Sequence, residues 1–160
     1  MTIQVGDKLP QITVSTMTEE GPKPVSMEEL CAGKKVVLFA VPGAFTPTCS
    51  VQHLPGFVTN AGNLKEKGVD VVACISVNDP FVMGAWGKDR SAGEEVLMLA
   101  DGNAEFTTAV GLEMDGSGFG LGKRSQRYAM IIDDGVVSTL NVESGPGVDV
   151  SSAETILAAL

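Results

Sequence analysis

Three stretches of the chain are predominantly apolar and of strand length: Val36–Val41, Val69–Val77 and Val96–Ala100. Continuous runs of this kind read as strands covered on both faces. The segments between them carry helix punctuation. Ser26-Met27-Glu28-Glu29 has the form of a capping box, and Gly33 marks the stop of that short helix. A second helix opens at Pro47, is expected to break or kink at Pro55-Gly56, and resumes through Phe57–Lys67 to a stop at Gly68. Asp79-Pro80 opens a third helix, carrying Phe81, Val82, Ala85 and Trp86, and Ala104–Val110 is a short fourth ending at Gly111. Asp115–Gly122 is expected to be a flexible glycine-rich loop. Tyr128–Ile132, Asp133-Asp134-Gly135 and Val136–Val142 form a hairpin pattern, and Ser151-Ser152-Ala153-Glu154 caps a last helix. Helical crossovers followed by a hairpin predict an α/β fold, a central mixed β-sheet with helices on both faces. No repeat or linker interrupts it, so one domain over 1–160 is expected.

Composition narrows the class. Apolar residues make up 44% and charged residues 19%, which suits a packed core and argues against disorder. A net charge of −9 argues against nucleic acid or an anionic membrane as partner, both of which attract basic surfaces. Three cysteines, Cys31, Cys49 and Cys74, do not make the even set of a secreted disulfide scaffold, so a reducing compartment fits better. No basic start with an apolar run resembles a secretory signal. The expected location is cytoplasmic, or an organelle after loss of a transit peptide.

The chemistry concentrates in Pro42-Gly43-Ala44-Phe45-Thr46-Pro47-Thr48-Cys49. Thr46 suits an N-cap and Pro47 the first helical position, which puts Cys49 in the first turn. There the helix dipole favours thiolate, the nucleophilic form. On residue chemistry alone, a small buried thiol is an equal alternative.

The eight residues also resemble the active-site loop of the peroxiredoxins, Pro-x-x-x-Thr-x-x-Cys, here Pro42, Thr46 and Cys49. The continuation His53-Leu54-Pro55-Gly56-Phe57 is similar to the type II, peroxiredoxin-5-like subfamily. So are Val72–Asp79, Gly84-Ala85-Trp86-Gly87, Gly120-Leu121-Gly122 and the segment Arg124-Ser125-Gln126-Arg127-Tyr128-Ala129. The resemblance spans nearly the whole chain. It implies a thioredoxin-like fold, a thiol-dependent peroxidase acting on hydrogen peroxide and alkyl hydroperoxides, and a homodimer. It also implies roles: Cys49 as the attacking sulfur, Pro42 shaping and shielding the loop, and Arg127 as the cation beside the sulfur, with Arg124 as rival. Thr46 is expected to accept the Cys49 N–H while turning its own hydrogen towards sulfur or peroxide.

Ionisation alone cannot make such an enzyme. A thiol of pKa ~8.5 is roughly 3% thiolate at pH 7, and a pKa of about 6 raises this to roughly 90%, a gain of about thirtyfold. Nucleophilicity falls with pKa along a slope of ~0.4–0.5, which takes back about tenfold. Donors that stabilise charge as the O–O bond breaks must supply the rest.

The subfamily members that form an internal disulfide carry a second cysteine before the last helix; Gly145–Ser152 has none, and Val150 stands in the corresponding place. Cys74 lies in an apolar strand and reads as structural, as does Cys31. A one-cysteine cycle is therefore expected, resolved by glutathione with glutaredoxin, or by thioredoxin. The alternative is a redox-sensing or chaperone-like protein switched by Cys49 oxidation. Cys49 and His53 have metal-ligand spacing, but two ligands do not make a site, and neither metal nor cofactor is expected. His53 reads as a packing or loop-anchoring residue. Gly116–Lys123 departs from the phosphate-loop pattern at Ser117 and Arg124.

Overall fold

The computed structural model describes all 160 residues. Nine strands are present: β1 Thr13–Thr18, β2 Gly21–Ser26, β3 Lys35–Ala40, β4 Val71–Ser76, β5 Leu97–Ala100, β6 Glu113–Asp115, β7 Lys123–Ser125, β8 Tyr128–Asp133 and β9 Val136–Val142. The helices are α1 Met27–Cys31, α2 Leu54–Glu66, α3 Pro80–Asp89, α4 Glu105–Ala109 and α5 Ala153–Ala159, with a wide π turn, Cys49–His53, running directly into α2. Seven strands form one mixed sheet in the order β2-β1-β5-β4-β3-β8-β9. The β3–β4 and β4–β5 pairs are parallel and the remaining pairs antiparallel.

The period-two alternation of β3 divides the core. Val37 and Phe39 face one layer, with Leu54, Phe57 and Leu64 of α2, Met83 and Trp86 of α3, and Ile156 of α5. Val36, Leu38 and Ala40 face the other, with Met27 of α1 and Phe106 of α4. Both faces are thus covered, which is why the central strands read as unbroken apolar runs. The helix starts follow local chemistry: Ser26 accepts the Glu29 N–H at 3.3 Å, Asp79 that of Val82 at 2.8 Å, and Ser152 that of Thr155 at 3.2 Å.

The structure departs from the sequence pattern at three places. β1 and β2 form a hairpin that the apolar pattern does not announce, because its residues are mostly exposed or half-buried and Pro22 and Pro24 sit on the sheet edge. The glycine-rich loop sits in a hairpin that the pattern does not show: β6 and β7 pair on either side of it, and it contains a short 3-10 turn, Ser117–Phe119. The helix does not break at Pro55-Gly56, but runs from Pro47 to Glu66. Its ladder shifts in the π turn, where the Leu54 N–H reaches the Cys49 carbonyl. Pro55 directly follows that shift, where the ladder is already displaced and its missing N–H interrupts no regular run of α-helical bonds.

Phe57 fixes this long helix to the sheet. Its ring stacks on Phe39 of β3 with centroids 4.0 Å apart, and both rings are fully buried. We expect Phe57→Ala to cost about 3–5 kcal/mol and to lower the thermal unfolding midpoint by roughly 10 °C. A shift below about 2 °C in a thermal melt would remove the ring stack as the main anchor of α2.

Candidate active site

The site forms where β3 ends. After Val41 the chain turns through Pro42–Thr46, with Phe45 in the left-handed region at φ 64°. Asn78, just beyond β4, holds this turn: its Oδ1 accepts the Ala44 N–H at 3.0 Å and lies 2.7 Å from Ser76 Oγ. Arg124 braces the other side, donating through Nε to the Leu121 carbonyl at 2.9 Å and through Nη1 to the Pro42 carbonyl at 3.5 Å. Behind the cysteine, Trp86 Nε1–H donates to Ser50 Oγ at 2.9 Å. Trp86 is fully buried, so it belongs to the core rather than to an exposed surface.

Thr46 differs from its expected role. Its Oγ1 is 2.6 Å from the Gly43 carbonyl, and the Thr46 carbonyl accepts the Ser50 N–H at 3.0 Å. A carbonyl only accepts, so the hydroxyl hydrogen is committed to Gly43, and no side-chain cap bond to the Cys49 N–H forms. The tight Gly43–Thr46 turn brings that carbonyl under the hydroxyl, and the short O–H···O bond takes the place of the cap. The Thr46 lone pairs are left facing outward as acceptors.

Arg127 stands one residue before β8. Because β8 runs antiparallel to β3, with Ala40 opposite Tyr128, the strand pairing carries residue 127 to the loop that follows β3. Alternation turns Arg127 to the same face as Ala129 and Ile131, the face covered by α2. There its Nη2 donates to Cys49 Sγ at 3.0 Å and its Nη1 to His53 Nδ1 at 2.9 Å. Arg124 makes neither contact. Cys49 is fully buried, Arg127 is 8% exposed, and Pro42 and Thr46 are half-buried.

His53 is the residue whose part the sequence understated. Its Nε2 lies 2.9 Å from the Ser151 carbonyl. Ser151 is held in turn by Glu143, whose Oε2 accepts from the Asp149 N–H at 2.7 Å, the Ser151 N–H at 2.8 Å and Ser151 Oγ at 2.6 Å. Burial alone would raise the Glu143 carboxyl, but these donors hold it below the usual range. Burial, then the Arg127 cation, pushes the His53 pKa down to about 3. With both ring nitrogens engaged, His53 has none free for a metal. The other thiols are shut away: burial pushes Cys31 up to about 11 and Cys74 well above the ordinary thiol range, with the Cys49 charge adding to the rise at Cys74.

The Redoxin family model matches residues 4–157. Peroxiredoxin-2E, chloroplastic, of Arabidopsis thaliana is 56% identical over 99% of this chain and 69% of its own length. Peroxiredoxin-2B of the same plant is 53% identical over 99% of this chain and 98% of its own. Among solved structures, reduced Prx3 from Vibrio vulnificus in complex with hydrogen peroxide superposes with a TM-score of 0.95 at 63% identity, covering 99% of both chains. Peroxiredoxin 5 from Alvinella pompejana gives 0.85 at 36% identity, covering 98% of this chain and 97% of that one. The chain belongs to the Redoxin family, among its type II, peroxiredoxin-5-like peroxiredoxins. It is a thiol peroxidase on a thioredoxin-like fold, rather than a redox-sensing or chaperone-like protein.

The buried imidazole predicts a pH dependence of stability. An unfolded histidine titrates near ~6.5, whereas the folded one resists protonation down to about 3. Between these values the unfolded state binds the extra proton. The stability tied to a neutral His53 is therefore fully present above ~6.5 and lost as pH falls towards 3. Denaturant unfolding of wild type and His53→Asn at several pH values should show the wild type falling more steeply in that window, by up to ~1.4 kcal/mol per pH unit. Parallel curves would mean that the imidazole is charged or wet.

Proposed function

We propose that Cys49 is the peroxide-reactive residue and that Thr46, Arg127 and Pro42 form the site around it. The observation that carries this reading is the 3.0 Å contact between the Arg127 guanidinium and Cys49 Sγ, made at the start of a helix. A permanent cation is a natural partner for a thiolate. The sulfur attacks the terminal peroxide oxygen. An S–O bond forms, the O–O bond breaks, sulfur loses two electrons, and the leaving alkoxide or hydroxide takes up a proton. Thr46 Oγ1, with its hydrogen held by Gly43, accepts from the peroxide O–H and directs the substrate. Arg127 donates where negative charge grows on oxygen. The half-buried Pro42 and Thr46 rim over a buried sulfur favours small substrates, hydrogen peroxide and short alkyl hydroperoxides.

The sulfenic acid then condenses with an outside thiol, giving a mixed disulfide and water, and a second thiol releases Cys49. We propose glutathione with glutaredoxin as the first reductant and thioredoxin as the second. Support comes from Cys74, whose burial and high pKa keep it an unreactive thiol. It comes also from the lack of a cysteine over Gly145–Ser152, where Val150 stands half-exposed. A homodimer would cover the exposed rings of Phe45 and Phe81 beside the loop. A reducing compartment, cytosolic or organellar, suits three unpaired cysteines.

A coupled assay tests the roles. Cys49→Ser should abolish peroxidase turnover, Cys74→Ser should keep it, and glutaredoxin with glutathione should sustain it better than thioredoxin. Thr46→Ser should retain most activity, while Thr46→Val and Arg127→Lys each lose about tenfold to a thousandfold in oxidation rate. Turnover surviving in Cys49→Ser would overturn the site.

Mass spectrometry tests the cycle. After peroxide and glutathione, the main product should be Cys49 joined to glutathione. A dominant Cys49–Cys74 bridge within one monomer would refute the one-cysteine route.

A further inference from the structure

A cation as buried as Arg127 has two requirements here: its fork must point at the sulfur, and its other N–H groups need acceptors. No carboxylate lies within ion-pair distance of it. The acceptor the fold supplies is His53 Nδ1, 2.9 Å from Nη1. That nitrogen can accept only in one tautomer. The partner of Nε2 is the Ser151 carbonyl, which can only accept, so Nε2 carries the hydrogen and Nδ1 the lone pair. The guanidinium, which can only donate, requires that same arrangement. The ring is held in place by Phe39 and Phe57, with centroids 4.9 and 5.6 Å away. The Ser151 carbonyl is itself aimed by the three bonds that Glu143 accepts from Asp149 and Ser151. Glu143 also joins the base of the same unit, its N–H donating to the Arg127 carbonyl at 2.9 Å.

We propose that His53 is a positioning residue for the peroxidase reaction, set by Glu143 through Ser151, and that its Nδ1 lone pair holds the Arg127 fork on Cys49. This rests on Cys49 and Arg127 acting as described above. The loop Glu143–Ser152 lies on the far side of His53 from the sulfur, yet it selects the tautomer that keeps the guanidinium aligned. The imidazole takes no proton from the thiol and touches no substrate; it acts by orienting its neighbour.

Two amide substitutions separate this role from packing. In His53→Asn the amide oxygen can stand near the position of Nδ1 and accept from Arg127, while the link to Ser151 is lost. In His53→Gln the amide nitrogen can reach the position of Nε2 and donate to Ser151, while the acceptor for Arg127 is lost. Rapid-mixing oxidation by hydrogen peroxide is compared with alkylation by iodoacetamide, which needs the thiolate but no guanidinium aligned on a breaking O–O bond; both rates are taken at the plateau of their pH profiles, where the sulfur is fully ionised in every variant, so that a change in thiolate fraction drops out. We expect His53→Asn to oxidise within about threefold of wild type and His53→Gln to be slower by about tenfold to a hundredfold, the worth of one charged hydrogen bond. Alkylation should stay within about threefold throughout. Equal peroxide rates for the two variants, or alkylation falling in parallel with oxidation, would overturn the proposal. Should either variant fail to fold, Glu143→Ala, which touches neither sulfur nor guanidinium, replaces it. A peroxide rate at least threefold lower with unchanged alkylation supports the proposal, and any smaller loss overturns it. Peroxide reactivity surviving in Cys49→Ser would instead strike the underlying site assignment.

Discussion

A guanidinium taken out of water must be neutralised or hydrogen-bonded, because it cannot shed its charge. Most buried arginines meet a carboxylate. Arg127 meets a sulfur and an imidazole instead, at 3.0 and 2.9 Å. Of the two partners, only Cys49 can carry negative charge. The contact couples the site to packing: a sulfur that can ionise stands where a buried cation demands a counter-charge.

The sheet makes that pairing possible. The antiparallel contact of β3 with β8 places Arg127 beside the loop leaving β3, and the β8–β9 pairing puts Glu143 one rung beyond Val142. The parallel pairing of β3 with β4 brings Ser76 and Asn78 to the same end, where they hold the turn before Cys49. Four segments far apart in sequence thus converge at one end of neighbouring strands, each positioned by strand register. Phe57, stacked on Phe39, closes the assembly from the helix side.

What could be read from the sequence was local. Ser26, Asp79 and Ser152 cap their helices through bonds spanning three residues, and the apolar runs mark strands whose two faces are both covered. The Pro42–Cys49 motif marked the loop on which the candidate site is built. What was hidden depends on contacts across the chain. The expected cap bond from Thr46 lost to the Gly43 carbonyl because a left-handed Phe45 tightens the turn. His53 reads as a packing residue until Ser151, 98 positions later, is seen to fix its tautomer. The β1–β2 hairpin escaped notice because a half-exposed edge pair lacks an apolar run. Pro55 looked like a helix breaker because periodicity gives no sign of a ladder that has already slipped by one residue.

That slip has a directional consequence. The Cys49 sulfur is fully covered, so any thiol that reached it would have to displace the turn that bears it. Beyond the wide turn, Pro55 and the Phe57 stack hold the helix to the sheet. Before it the loop is held by a few polar bonds, from the Ala44 N–H to Asn78 and from Arg124 to the Pro42 carbonyl, with no ring stack of its own on the sheet. Opening from the amino-terminal side would part those few polar bonds and leave the ring stack intact, so the sheet-packed remainder would stand as a template for re-forming the turn.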